Sequence, residues 1–303
     1  MRTFTAVVNP HAGAHRDRRR VASTLTQVSR ILRQAGSKVS VEHSRDAGHA
    51  ADLAAEAAER GDVVVAVGGD GTVGNLAGVA VRSGGALGLI PGGRGNDLAR
   101  QLGLSRDPAR LAGILLHAEP QPVDVLHVAD RIVVNSVYAG IDAVANLHLN
   151  RVSGLGALGY HYGVVRAMLG WRMRAYRVTV DGNRRDFRGN TVVVANSGYY
   201  GRGRHAAPDA RIDDGQADVV TLEDLRLPAF VNLAMRELYR GTHVRRPEVT
   251  IVRGQEVTIE ADPPLPAGGD GELIGTLPVT VRVRPGALRM LTPALPASPP
   301  PSV

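Results

Sequence analysis

The chain has 303 residues, 44% of them hydrophobic, which is enough apolar material for two cores of ordinary domain size. It has no cysteine, which excludes disulfides, thiolate chemistry and cysteine-held zinc and suits a reducing cytoplasm. The balance of 36 Lys+Arg against 29 Asp+Glu gives +7, carried by arginine with Lys38 as the sole lysine; in a chain so rich in Ala, Gly, Val and Pro this reads as a solvated surface, and no nucleic-acid partner is expected.

Residues 3–8 read as a buried strand and 16–35 as a helix with Val21, Leu25, Val28, Ile31 and Leu32 on one side, stopped by Gly36. No charged leader precedes that strand, so no secretory signal is expected, and no run reaches the ~18 uninterrupted apolar residues of a membrane span. A strand at 38–43, a helix at 48–60 and the apolar strand 63–67 follow, then a helix after Thr72, a strand at 86–90 and a helix over 97–102. This alternation predicts a parallel sheet covered by helices, an α/β domain over residues 1–127.

From Arg131 short strands take over: Ile132 to Val134, Arg177 to Val180, Thr191 to Ala195, Ala217 to Leu222, Glu248 to Val252 and Glu256 to Glu260. They predict an antiparallel β-sandwich over 128–286, interrupted by helices near 155–170 and 228–240. The proline-rich residues 293–303 read as a disordered tail. The stretch Arg151 to Arg177 mixes Leu155, Leu158, Tyr160, Tyr162, Trp171 and Tyr176 with arginines, a composition that fits an interfacial helix and equally a core helix with a basic outer face.

Three polar loops fall at the C-terminal edge of the predicted parallel sheet, where open α/β sheets bind ligands. Asn9-Pro10-His11-Ala12-Gly13 ends the first strand, Gly68-Gly69-Asp70-Gly71-Thr72 leads into a helix through Asn75, and Pro91-Gly92-Gly93-Arg94-Gly95-Asn96-Asp97 precedes another. Glycines there let backbone approach phosphate oxygens, helix-start amides attract anions, and Arg94 supplies a cation. Each loop alone also fits a tight turn or an N-cap. Lys38 stands in no glycine-rich loop, which argues against both the phosphate-loop and the protein-kinase plans.

These motifs, with Asn196-Ser197, the run Ala207 to Gly215 and Asp270-Gly271-Glu272, resemble the diacylglycerol kinase catalytic-domain family, which includes sphingosine kinases and bacterial lipid kinases. The resemblance covers nearly the whole chain. It implies a three-layer nucleotide-binding domain, a β-sandwich domain, an active site in the cleft between them, and a last strand, about 287–292, returning to the first domain. The implied nucleotide-site residues are Asn9, Pro10, Gly13, Ser44, Gly69, Asp70, Gly71, Thr72, Asn75 and Arg94.

The implied catalytic base is Asp270, with Glu272 and Asp97 around magnesium. A second, structural magnesium is implied at Arg211, Asp214 and Gln216, with Asp213 as the competing choice. The expected activity is ATP-dependent phosphorylation of a lipid hydroxyl at a membrane surface, with diacylglycerol as the default acceptor and sphingoid bases, ceramide or phosphatidylglycerol as alternatives. ATP and Mg2+ are the expected cofactors, with peripheral contact at the inner face of the membrane and a homodimer as family traits. NAD kinases share the Gly-Gly-Asp-Gly loop, but no Asn-Glu dipeptide like theirs occurs here; a non-catalytic nucleotide-binding regulator is the other rival.

Three departures stand out. Arg94 replaces a usual threonine and Ser44 a common one, and Pro266 to Gly269 stands where the family more often has a strand, which predicts a looser segment before Asp270.

Overall fold

The computed structural model describes residues 1–10, 15–151, 166–168 and 170–295. The chain forms two compact units, one of Met1–Asp124, Ile212–Asp214 and the residues from Pro285, the other of Val125–Arg211 and Gly215–Arg284.

In the first unit the chain runs β1 (Thr3–Val8), α1 (His15–Gln34), β2 (Lys38–His43), α2 (Ala47–Glu59), β3 (Val63–Gly68), α3 (Asp70–Ser83), β4 (Ala86–Pro91), α4 (Asp97–Gln101) and α5 (Pro108–His117), leaving through β5 (Pro120–Val128). The sheet order β2-β1-β3-β4 is parallel throughout. Phe4, Ala6, Val8, Val65, Val67 and Ile90 pack with Leu25, Val28 and Leu32 of α1 and Leu111 and Leu115 of α5. Cover on both faces is why β1 and β3 read as unbroken apolar runs.

Helix α5 lies outside the elements expected from sequence. Its start is nonetheless marked: Asp107 accepts from the amides of Ala109 and Arg110, and Pro108 opens the first turn.

The second unit contains β6 (Arg131–Val133), β7 (Ser136–Gly140), α6 (Ile141–Arg151), β8 (Arg174–Val180), β9 (Asn183–Ala195), the short β10 (Tyr199–Tyr200) and β11 (Arg204–His205), and β12 (Ala217–Glu223). Helix α7 (Leu227–Asn232) continues through a π-helical turn, Leu233–Glu237, into α8 (Leu238–Arg240), followed by a 3-10 turn, Thr242–Arg245. The strands β13 (Val249–Gly254), β14 (Glu256–Asp262), β15 (Pro266–Gly269), β16 (Glu272–Thr276) and β17 (Val279–Leu291) complete it. Pairings among β7 to β9 and β12 to β16 are antiparallel.

Strand β9 separates two cores. Val192 and Val194 pack with Val137, Val219, Val257 and Ile259, while Val193 and Ala195 pack with Tyr138, Ala207 and Val220 on the opposite side. Strand β17 is shared between the units: Val279–Arg282 pair with β14, and Arg289 and Met290 pair in parallel with β4.

One expectation is corrected. Pro266–Gly269 is no loose segment but the strand β15, buried from Ala267 to Gly269 and paired with β7. Its glycines suit that place, since a Cβ on Gly268 would collide with the Tyr138 ring and one on Gly269 would come within 2.8 Å of Val133. Of the two readings left open for Arg151 to Arg177, the core one fits Tyr176, which is buried and stacks on Phe187, while Trp171 is half-buried with its indole donating to Asn190 Oδ1 at 2.8 Å.

The expected helix near 155–170, with Leu155, Leu158, Tyr160 and Tyr162, falls largely outside the described residues, as does the tail from 296. Helix α6, just before it, lies outside the expected elements. No helix among the described residues is long and apolar enough to cross a membrane.

Candidate active site

In the first unit the loops after β1, β3 and β4 meet at one sheet edge. The Asn9 amide donates to Val67 O at 3.2 Å, and its side-chain amide reaches Thr72 Oγ1 at 3.2 Å, joining the first loop to the start of α3. Pro10 follows half-buried, and Gly13 lies outside the described residues. Helix α3 begins at Asp70, and its first i to i−4 bond runs from the Val73 amide to Gly69 O, so the amides of Asp70, Gly71 and Thr72 have no partner within the helix.

The glycines do more than expose backbone. A Cβ on Gly93 would fall on Gly69 Cα, one on Gly69 would lie 3.0 Å from Gly93 Cα, and Gly92 N donates to Gly68 O at 2.7 Å. The second and third loops are thus packed backbone on backbone. Asn96, in the left-handed region at φ 54°, folds its side chain back onto Gly93, accepting from its amide and donating to its carbonyl, both at 2.7 Å. The start of α4 is capped from the other loop, where Asp70 Oδ1 accepts from the Leu98 amide at 3.1 Å.

The remaining first-unit candidates divide. Asp97 is buried at the start of α4, and Arg94 is exposed between Gly93 and Gly95. Ser44 is buried with its hydroxyl on Val8 O at 3.2 Å, and Asn75 Nδ2 donates to Ala47 O at 2.7 Å, so both carry structural bonds.

In the second unit Asp270 and Gly271 are the two-residue tip of the β15–β16 hairpin, both left-handed at φ 48° and 87°. The Asp270 carboxylate is gripped at both oxygens: the Val134 amide donates to Oδ2 at 2.7 Å and the Asn135 amide to Oδ1 at 2.9 Å. Asn196 and Ser197, both fully buried, brace that grip, the first donating to Val134 O at 2.8 Å and the second to Asn135 Oδ1 at 3.1 Å. Glu272 points outward to Arg131 at 3.7 Å, with 62% of its side chain exposed.

Sequence reasoning missed a partly buried polar cluster in this unit. Asp142, at the start of α6, accepts from the Tyr200 hydroxyl at 2.6 Å, Thr191 Oγ1 at 2.9 Å and the Ala143 amide at 2.9 Å. Burial outweighs these bonds and raises its carboxyl above the ordinary value, and burial together with the Asp142 charge raises the phenols of Tyr138 and Tyr200 as well. The Tyr138 ring meets Tyr200 edge-on, and Asn146 Nδ2 donates both to the Tyr138 hydroxyl at 3.0 Å and to Gly271 O at 2.8 Å. The cluster therefore ends on the hairpin tip that carries Asp270. Its one sequence signal was an acidic residue two positions after Gly140, at the end of a buried strand.

A Cβ on Gly95 would lie 2.8 Å from Asp70 Oδ2 and 3.4 Å from Asp97 Oδ2, so both carboxylates pack against this glycine. Two neighbouring carboxylates are oxygen donors of the kind that magnesium takes while keeping most of its water. Among the described residues, no three His, Asp or Glu side chains gather as metal ligands. Of the residues expected around a second magnesium, Arg211, Asp213 and Asp214 are half-buried and Gln216 is exposed.

Comparison with known proteins places both halves. Residues 3–128 match the diacylglycerol kinase catalytic domain, and residues 135–292, more than half of the chain, match the YegS C-terminal NAD kinase beta sandwich-like domain. A diacylglycerol kinase of Bacillus subtilis is 28% identical over 92% of both chains. A Pseudomonas putida protein named "Probable lipid kinase YegS-like" is 31% identical over 87% of this chain and 88% of its own. A crystal structure of a Bacillus anthracis diacylglycerol kinase shares the fold with TM-score 0.72 and 23% identity, covering 96% of this chain and 97% of that one. The glycine loops lie in the first matched region and the Asp270 hairpin in the second, and the chain belongs to the diacylglycerol kinase and YegS-like family of lipid kinases.

Proposed function

We propose that the protein transfers the γ-phosphoryl group of ATP to a lipid hydroxyl, with diacylglycerol as acceptor and phosphatidic acid as product. The acceptor oxygen bonds to the γ-phosphorus, its proton passes to the Asp270 carboxylate, and ADP leaves with the electrons of the broken P–O bond. The observation that carries this reading is the grip of two backbone amides on Asp270, which fixes a carboxylate at the tip of a rigid hairpin with its orientation preset.

The nucleotide is assigned to the free amides at the start of α3, with Asn9 and Thr72 beside them and Arg94 as the exposed cation. Magnesium is assigned to Asp70 and Asp97, where it would offset phosphate charge. Relatives named diacylglycerol kinase support the choice of acceptor.

The test is labelled ATP with a panel of lipids in mixed micelles, followed by identification of the product. Labelled phosphatidic acid from diacylglycerol is expected. Label in another lipid would move the acceptor, and label in no lipid would overturn the reading.

A further inference from the structure

The segment from the π turn to the 3-10 turn buries one side and leaves the other unused. Leu233 and Leu238 pack inward with Phe230, while Met235, Tyr239 and Val244 are 58%, 45% and 37% exposed. Apart from Met1 and two residues of β13, these are the exposed large hydrophobic side chains among the described residues, so the apolar surface is concentrated here. Residues 235 and 236 and residues 239 and 240 are spaced four apart on one outward face.

The same face is cationic. Arg236, Arg240 and Arg245 are exposed and have no carboxylate partner among the described residues. The one acidic residue between 233 and 247, Glu237, is tied to Arg246 by two bonds of 2.6 and 2.7 Å, so its charge is already answered. Arg204 lies over the Tyr239 ring at 5.2 Å from its centroid.

We infer that this face, from Met235 to Arg245, rests on an anionic lipid bilayer, a reading that builds on the proposed lipid acceptor. Separate Met, Tyr and Val side chains suit shallow entry among headgroups, and the arginines meet lipid phosphates. Isolated apolar tips among unpaired cations do not form the packed apolar centre of a stable protein interface.

Sedimentation with phosphatidylglycerol/phosphatidylcholine vesicles tests this. The full chain should bind these, ignore pure phosphatidylcholine, and release as salt rises. Arg236→Gln with Arg240→Gln and Arg245→Gln should weaken binding roughly a hundredfold. Met235→Ser with Tyr239→Ser and Val244→Ser should also weaken it, while Arg30→Gln, on the exposed side of α1, should not.

Equal binding by wild type and both triple variants would overturn the inference. So would failure of wild type to bind anionic vesicles, or a change from oligomer to monomer in the apolar variant, which would mark the face as a contact between copies. Turnover of a water-dispersed short-chain diacylglycerol should be the same in all variants. Loss of that activity in wild type, with vesicle binding intact, would sink the kinase reading and leave the surface standing.

Discussion

Asn196 holds Asp270 at one remove: its side-chain amide bonds the Val134 carbonyl, and the Val134 amide bonds the Asp270 carboxylate. The fully buried Asn196 is therefore a positioning residue, and Asn196→Ala should lower kcat about tenfold or more while KM for ATP holds. The same variant should lose about 1–3 kcal/mol in urea unfolding, since it leaves a buried carbonyl unpaired. A rise in the KM for ATP with kcat unchanged would contradict the assignment.

Asp270→Asn removes the proposed base and leaves the glycine loops untouched. Transfer should fall by about 10²–10⁴ with calorimetric ATP affinity nearly intact. Near wild-type turnover would sink the role of Asp270 as base.

The half-buried Asp142 predicts a pH dependence. Its carboxyl is raised by burial, so the folded chain holds this proton more tightly than the unfolded one, and the group's contribution to stability declines as pH climbs from the ordinary carboxylate value through the raised one. Asp142→Asn cannot titrate. Urea midpoints compared between about pH 5 and pH 8 should fall less in the variant than in wild type. Parallel profiles would show that Asp142 titrates as an ordinary carboxyl.

Gly93→Ala places a methyl group on Gly69 Cα. The two loops must separate, and a loss of about 1–3 kcal/mol is expected with weaker ATP binding. Gly103→Ala provides the contrast: nothing lies within 4 Å of its added Cβ, although its φ of 63° carries a separate backbone cost. Unchanged ATP affinity in Gly93→Ala would detach the loop contact from the nucleotide site.

The parallel sheet was legible because β1 and β3 are covered on both faces, which writes apolar runs such as Val63 to Val67 directly into the chain. The antiparallel class was legible from short strands and turns, although β9 starts at Asn183, eight positions before the expected Thr191, because its polar first half still finds a partner in β8. The loops were located, yet the purpose of their glycines was only half visible. Contact between Gly69 and Gly93 joins positions 24 apart, and no local pattern encodes it.

Asp142 was hidden for a similar reason. Its partners Thr191 and Tyr200 lie 49 and 58 positions away, and a lone Asp at a helix start looks like any cap. The stretch holding Trp171 and Tyr176 stayed open between an interfacial and a core reading, because sequence alone does not reveal that Asn190 accepts from the indole.

The bond from the Leu98 amide to Asp70 gives this architecture a built-in gauge. Asp70 stands in the loop assigned to phosphate, while Leu98 belongs to a different loop and helix, so recruitment of the Asp70 carboxylate by a metal would alter the protection of a single distant amide. Hydrogen exchange at Leu98 should then respond when magnesium and ATP are added together, and in Asp70→Ala it should be fast and deaf to both. An amide that exchanges identically in every state would mean that Asp70 is committed to its helix and has no share in the nucleotide.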